Sequence, residues 1–310
     1  MKGNGDMKHL FIVNPTAGGK DKSEYVRACA KEVFDVSGEE YEIYITKAPM
    51  DATEKIRSEA SSCDKLRVYA CGGDGTFNEC VCGAAHLDNV AVAPFPTGTG
   101  NDFCRMFGSE GDLYRDLSAL TQGSEYLIDL IDCNGRYCVN ICCVGIDARV
   151  GADVHKYSGI PLIGGATGYV VSVLVHIFKG LTRKMKIKCG EYNVDTDMTL
   201  VAACNGRYYG GGFNPSIVAR PDDGILDIYI IKKINLLTLA NLIGKYAKGK
   251  ADELTDYVTH LRSDHISIEF EEDEVVNFDG EVMYARKADL KLVPKALKLI
   301  VPKGMTFFEE

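Results

Sequence analysis

Gly72-Gly73-Asp74-Gly75-Thr76 follows the apolar run Lys65 to Cys71. The five residues read as a strand end, a glycine-rich turn and a helix start. Three glycines in four positions let the backbone take φ > 0 and approach a ligand with no Cβ in the way. The N–H groups of such a turn, with the helix N-terminus after it, suit phosphate oxygens. Asp74 adds something that simple anion binding would leave out. A carboxylate beside polyphosphate is repulsive unless a cation lies between them or the acid handles a proton. The pattern therefore points to chemistry on phosphate, against the plainer alternative of an Asp-capped βα turn. It matches neither a P-loop nor the dinucleotide GxGxxG pattern.

Two more turns share this character. Asn14-Pro15-Thr16-Ala17-Gly18-Gly19-Lys20 follows the strand His9 to Val13, and Thr97-Gly98-Thr99-Gly100-Asn101-Asp102-Phe103 follows Val90 to Pro96. Three such turns after three strands would line one edge of a parallel sheet, where open α/β sheets bind ligands. Two acidic segments lie further on. Asn277-Phe278-Asp279-Gly280-Glu281 puts Glu281 just after a turn. There it is either a base for a hydroxyl proton or an exposed hairpin acid. Arg220-Pro221-Asp222-Asp223-Gly224-Ile225-Leu226-Asp227 suits a hard cation such as Mg²⁺, or is an Asp-Gly turn with no ion.

These residues need elements to hold them. From His9 to about Ser124, strands at 9–13, 41–46, 65–71 and 90–95 alternate with helices at 23–35, 51–61, 76–84, 100–106 and 111–121, a βαβ succession with a parallel sheet. From Glu125 the chain turns β-rich, with strands at 126–133, 136–144, 184–189, 197–205, 225–231, 265–270, 275–279 and 291–301, and helices at 163–178 and 235–248. The expected division is 1–124 and 125–303, with a cleft between two closely packed domains.

NPTAG, GGDGT and GTGNDF, in that order, with DDGILD and DGE after them, resemble the diacylglycerol kinase catalytic-domain family and its soluble bacterial lipid kinase branch. The similarity extends over nearly the whole chain, including Asn205 to Phe213. It implies an α/β domain like those of phosphofructokinase and NAD kinase, a C-terminal β-sandwich domain, and a last segment, here from about Gly304, returning to the first domain. It implies transfer of a phosphoryl group from ATP to a primary hydroxyl of a lipid, with diacylglycerol giving phosphatidic acid as the expected case. Nucleotide contacts fall on Asn14, Pro15, Thr16, Ala17, Gly18, Thr46, Gly72, Gly73, Asp74, Gly75, Thr76, Phe77, Asn78 and Thr99. Thr46 reads equally as an ordinary β-branched strand end. The resemblance makes Glu281 the base, with Asp74 acting through Mg²⁺ or by orienting it. It places the Asp223 side chain and the carbonyls of Arg220 and Ile225 on a structural Mg²⁺. It also implies homodimers and a cytoplasmic enzyme peripheral to the inner face of the membrane. An NAD kinase also carries GGDGT, but the Asn-Glu pair expected after the domain junction is missing. A catalytically idle lipid-binding member would have lost Asp74 or Glu281, and both are present.

Composition fits a globular enzyme of two domains, with 46% apolar and 25% charged residues among 310. A net charge of −9 argues against a nucleic-acid partner. The twelve cysteines include no CxxC pair and sit among apolar neighbours, so they read as reduced core residues in a reducing compartment. The apolar stretch Leu162 to Phe178 is short for a membrane span. Met1 to Asp6 lack the apolar core of a signal peptide. Lys20, Lys22 and Lys179 are candidates for a membrane-docking rim, or are solvated surface lysines.

Overall fold

The computed structural model describes residues 7–98, 100–146, 148–149 and 181–309. The expected helix at 163–178, Thr99 and Lys179 lie outside them. The chain divides into two units, Met1–Leu130 with Pro294–Glu310, and Ile131–Val293. The return to the first unit thus begins ten residues before Gly304, and the first unit extends past Ser124.

The first unit alternates β1 (Met7–Val13), α1 (Ser23–Ser37), β2 (Glu40–Ile45), α2 (Asp51–Ala60), β3 (Lys65–Gly72), α3 (Asp74–Ala84) and β4 (Val90–Pro96). The strands run parallel in the order β2-β1-β3-β4. β4 is buried along its whole length and β3 at all but its first residue, as the continuous apolar runs of a sheet covered on both faces require. α1 stops at Gly38, whose left-handed φ of 71° lets its N–H reach Phe34 O at 2.9 Å. The chain's last strand adds to the free edge of β4, with Lys298 beside Ala91 and Leu299 beside Val92. The buried Leu297, Leu299 and Ile300 explain why this segment, and not only the final residues, belongs to the unit.

After β4 come α4 (Asp102–Arg105), a 3-10 stretch (Gly108–Arg115) and α5 (Leu117–Thr121). The expected single helix at 111–121 is broken at Asp116, whose carboxylate accepts the Ala119 N–H at 3.1 Å and starts a new helix.

β5 (Ser124–Cys133) leads into the second unit, which contains β6 (Arg136–Cys138), β7 (Ile141–Gly145), β8 (Arg183–Cys189), β9 (Tyr192–Cys204), β10 (Leu226–Lys232), α6 (Leu236–Tyr246), β11 (Val258–Ser263), β12 (His265–Phe278) and most of β13 (Glu281–Val301). The order is β11-β10-β9-β7-β12-β13, and β8 shares the lane of β7 between β9 and β12. Successive residues face opposite sides, and here both sides are covered. Cys142 and Val144 enter one core with Ile187, Ile268 and Phe278. Ile141 and Cys143 enter the other with Tyr229, Ile231 and Tyr246 of α6. Nine of the twelve cysteines are buried and none forms a disulfide, which fits the reading of them as core residues.

Three differences from expectation stand out in this unit. β11 was not anticipated, because Val-Thr-His-Leu-Arg-Ser carries too few apolar residues to mark a strand. The acidic run Glu271 to Glu274 does not split two strands; β12 continues through it, with a register shift between Glu269 and Glu274. The expected strand at 136–144 is interrupted at Val139 and Asn140, whose N–H groups turn to another partner described below.

Candidate active site

In the first unit, four turns leave the carboxyl ends of adjacent strands. Thr46 follows β2, Asn14 to Gly18 follow β1, Gly72 to Asn78 follow β3, and Thr97 onward follow β4. The turns interlock through the backbone. Asn14 N–H donates to Cys71 O at 3.1 Å, and Thr46 N–H to Val13 O at 2.9 Å. Both Thr97 and Gly98 donate their N–H groups to Gly72 O, at 3.0 and 2.9 Å. The Asn14 amide donates to Thr76 Oγ1 at 3.1 Å, while its carbonyl accepts the Thr16 N–H at 3.0 Å.

Close approach explains the glycines better than positive φ does. A Cβ on Gly98 would lie 2.7 Å from Gly73 Cα and 2.8 Å from its nitrogen. One on Gly100 would lie 2.5 Å from Asp74 Oδ2. Among the described glycines of these turns, only Gly18, at φ 66°, combines a left-handed conformation with a near neighbour, Thr97 O at 3.0 Å from its would-be Cβ.

Asp74 opens α3 but does not cap it. Its Oδ1 accepts the N–H groups of Asp102 at 2.7 Å and Phe103 at 3.4 Å, from the turn after β4. Burial raises its pKa above the ordinary carboxylate value, and those N–H bonds oppose the shift without cancelling it. The neighbouring Asp102 is buried, Asp74 half-buried, and Arg105 Nε lies 3.3 Å from the Asp102 carboxylate. Two acids, 28 positions apart in sequence, are therefore joined at one turn of a phosphate-friendly edge. Asp102 was not singled out from sequence, although its place in GTGNDF, two residues after Gly100, was the available signal. Phe77 contributes only its backbone to this edge, because its ring is buried 4.9 Å from that of Phe103. The Thr46 hydroxyl is 3.3 Å from Val13 O, in keeping with the plain strand-end reading.

In the second unit, Glu281 is the first residue of β13, opposite Phe278 across a two-residue loop. Asp279 (φ 51°) and Gly280 (φ 91°) are both left-handed, the conformation a tight hairpin needs. Glu281 is exposed, and no described residue pairs with it. The two acids of this motif have separate tasks. The Asp279 carboxylate accepts the N–H groups of Val139 at 2.6 Å, Asn140 at 3.0 Å and Ile141 at 3.1 Å, with Cys138 Sγ at 3.1 Å. This is where the interrupted strand's amides go. Asn140 is held in turn from the 205–213 segment: Asn205 and Gly206 donate to its carbonyl at 2.9 and 2.8 Å, and its side chain bonds to Tyr208 O. The turn that presents Glu281 is thus anchored two layers deep.

The acidic loop is neutralised by protein cations. Arg220 pairs with Asp222, and Arg262 pairs with Asp223 at 2.9 Å. The buried Asp227 accepts from His260 at 2.8 Å, and Asp252 faces the other ring nitrogen at 2.9 Å. No group of three or more His, Cys, Asp or Glu suited to a metal occurs among the described residues. The set expected from sequence, one carboxylate and two carbonyls, is of a different kind. Its oxygen donors suit a hard cation, and the Arg262–Asp223 contact is a surface pair, worth about 0–1 kcal/mol, that a divalent ion would displace.

The hydrogen bond to Asp227, followed by the charge of Asp252, raises the His260 pKa against the effect of burial. A raised folded-state pKa gives stability that is fully present below the unfolded value of about 6.5 and is lost as pH rises through the folded value. The melting temperature of the wild type is expected to fall over that window. His260→Gln should flatten the fall, and an unchanged profile would remove His260 from the linkage.

The second unit also holds a small apolar cavity of about 20 Å³ between β9, β10 and α6; Leu200, Ile231, Leu239, Leu242, Ile243 and Tyr246 are among its lining residues. No described helix is long and apolar enough to cross a membrane.

Residues 8–133 match the diacylglycerol kinase catalytic domain, and residues 140–301 match the YegS C-terminal NAD kinase beta sandwich-like domain. A protein named probable lipid kinase YegS-like from Pseudomonas aeruginosa is 26% identical over 306 residues, covering 98% of this chain and 97% of its own. One of the same name from Shewanella frigidimarina is 28% identical over 240 residues, 76% of each chain. A crystal structure described as a diacylglycerol kinase from Bacillus anthracis superposes with a TM-score of 0.70 at 25% identity, covering 98% of this chain and all of that one.

Proposed function

Because the chain belongs to the diacylglycerol kinase catalytic-domain family, in its bacterial lipid kinase branch, we propose that it transfers the γ-phosphoryl of ATP to a primary hydroxyl of a lipid, with diacylglycerol as the first candidate and phosphatidic acid as its product. The observation that carries this reading is the interlocked edge of the first unit, four turns, three of them bearing glycine and asparagine, with the half-buried Asp74 at the start of α3. Phosphoryl transfer is chiefly positioning and charge neutralisation, and a rigid backbone cradle supplies positioning without reorganisation.

Glu281 is the proton acceptor in this reading. As the lipid oxygen bonds to the γ-phosphorus, the bond from that phosphorus to the β–γ bridging oxygen breaks and ADP leaves. The hydroxyl proton passes to Glu281. Asp279 acts on this step only through Glu281, by holding its turn. Mg²⁺, when bound, would screen phosphate charge. The Asp223 carboxylate with the carbonyls of Arg220 and Ile225 is the set that would hold a structural ion.

Purified protein incubated with labelled ATP is expected to phosphorylate at least one member of a panel of diacylglycerol, phosphatidylglycerol and sphingoid bases. Phosphorylation of NAD with no lipid product would overturn the reading. Two variants test its parts. Gly98→Ala forces a Cβ against the backbone of Gly73, which cannot move as a side-chain tip could, and should weaken ATP binding tenfold or more, measured by calorimetry. Wild-type affinity would mean that the two turns need not touch. Added Mg²⁺ without nucleotide should raise the melting temperature of the wild type, and raise that of Asp223→Ala less, since an ion that binds only the folded state stabilises it. Equal responses would leave the loop without an ion.

A further inference from the structure

The helix α6 buries one apolar face and also begins its exposed face with two leucines, which is unusual for a helix on the outside of a unit. Its inner residues Leu239, Leu242, Ile243 and Tyr246 line the cavity. Its outer face opens with Leu236 and Leu237, which are 43% and 78% exposed, continues through Ala240, Asn241 and Gly244, and ends at the exposed Lys245. Ile217 and Val218, also about half exposed, belong to the segment at the far end of the helix. There Asn214 N–H donates to Ala247 O at 3.2 Å, and Ile217 lies against Gly249. Tyr257 is exposed at the near end, where its carbonyl accepts the Lys232 N–H at 2.9 Å.

The charges carried by this segment itself have one sign, and Asp197 and Glu253 of neighbouring segments pair with three of them. From Lys232 to Lys250 the chain has five lysines (232, 233, 245, 248 and 250) and no Asp or Glu, in a protein of net charge −9. They flank α6 at both ends. Lys233 reaches Asp197, and Lys245 and Lys250 reach Glu253, in exposed pairs that cost little to exchange for other partners. A short helix with leucines on its outer face and lysines at its ends is the pattern of a segment lying in a bilayer interface, and lysines near an anionic leaflet add attraction of short range. The overall negative charge does not prevent this, because screening confines it to about 8 Å at physiological salt.

We propose that α6 is the surface by which this protein docks on an anionic phospholipid bilayer, with Leu236 and Leu237 entering the headgroup–acyl boundary and Lys232, Lys233 and Lys248 facing anionic headgroups. This rests on the lipid kinase reading for its purpose. Docking there holds the protein at the surface in which a lipid substrate is dissolved.

Co-sedimentation of the full chain with phosphatidylcholine vesicles, with and without phosphatidylglycerol, tests the proposal. Wild type is expected to bind the anionic vesicles, and less so as salt is raised. Leu236→Asn with Leu237→Asn, both at exposed positions, should reduce partitioning roughly tenfold. Lys232→Glu, Lys233→Glu and Lys248→Glu together should remove the dependence on phosphatidylglycerol. Both variants should keep wild-type activity on a water-soluble short-chain diacylglycerol. Failure of wild type to bind vesicles, or unchanged binding by the leucine variant, would overturn the docking face. So would unchanged binding accompanied by a dimer-to-monomer change on gel filtration, which would assign the face to a second copy. If wild type bound vesicles but phosphorylated no lipid, the kinase reading would fail while the docking face stood.

Discussion

Replacing Glu281 by glutamine is expected to lower turnover about a hundredfold or more, the scale for a positioned general base, while ATP affinity stays near wild type. A hundredfold corresponds to about 2.7 kcal/mol of barrier. Glutamine keeps the length of the side chain and can still hydrogen-bond to a hydroxyl, so what it removes is the capacity to take a proton. The substitution is structurally mild, because Glu281 is exposed at the first position of β13 and no described residue depends on it. A melting temperature within a degree or so of wild type should accompany the loss. Turnover near wild type would take Glu281 out of the mechanism and return it to the status of a hairpin acid.

Asp279→Ala is expected to be the most destabilising single change in this region. The Asp279 carboxylate is the acceptor for three successive N–H groups, those of the buried Val139, Asn140 and Ile141. Each buried donor left without a partner costs about 1–3 kcal/mol. Asp279 itself is half-buried and water can relieve part of the loss, so the low end of the range applies, about 3 kcal/mol in all. At about 2–4 °C per kcal/mol for a domain of 150–250 residues, the melting temperature should fall by about 6–12 °C. Alanine also meets the left-handed φ of 51° poorly. Asp279→Asn keeps a residue that tolerates this conformation and one side-chain acceptor, so its loss should be intermediate. Turnover should fall with both variants, as Glu281 loses its mounting. A melting temperature within two degrees of wild type for Asp279→Ala would mean that the three amides find water instead, and that the anchor is not needed.

Much of the candidate site was legible in sequence because its requirements are local. A turn that must bring backbone against a ligand calls for glycine where it stands, and GGDGT states that requirement within five residues. The strands of the first unit were legible for a related reason. A parallel sheet covered on both faces needs unbroken apolar runs, and Val68 to Cys71 and Val90 to Phe95 are such runs. Asp279 and Gly280 announced a tight turn because left-handed residues at that spacing suit few other structures.

Partners distant in the chain were not legible. Nothing in GTGNDF says that Gly98 must lack a Cβ because Gly73 lies under it, or that Asp102 and Phe103 direct their N–H groups at Asp74. Nothing near Asp279 says that its carboxylate anchors amides about 140 positions earlier. β11 and the front of β13 were missed because half-exposed strands carry polar residues on one face, and their pairing energy comes from neighbours that the local pattern does not name. The point where the chain returns to the first unit, at Pro294 and not Gly304, was likewise set by the free edge of β4. The sequence by itself determined which backbone conformations and which chemical groups were available. The tertiary structure decided which of them meet, because a hydrogen bond or a close contact is a property of two places in the chain, and turn chemistry and periodicity describe only one.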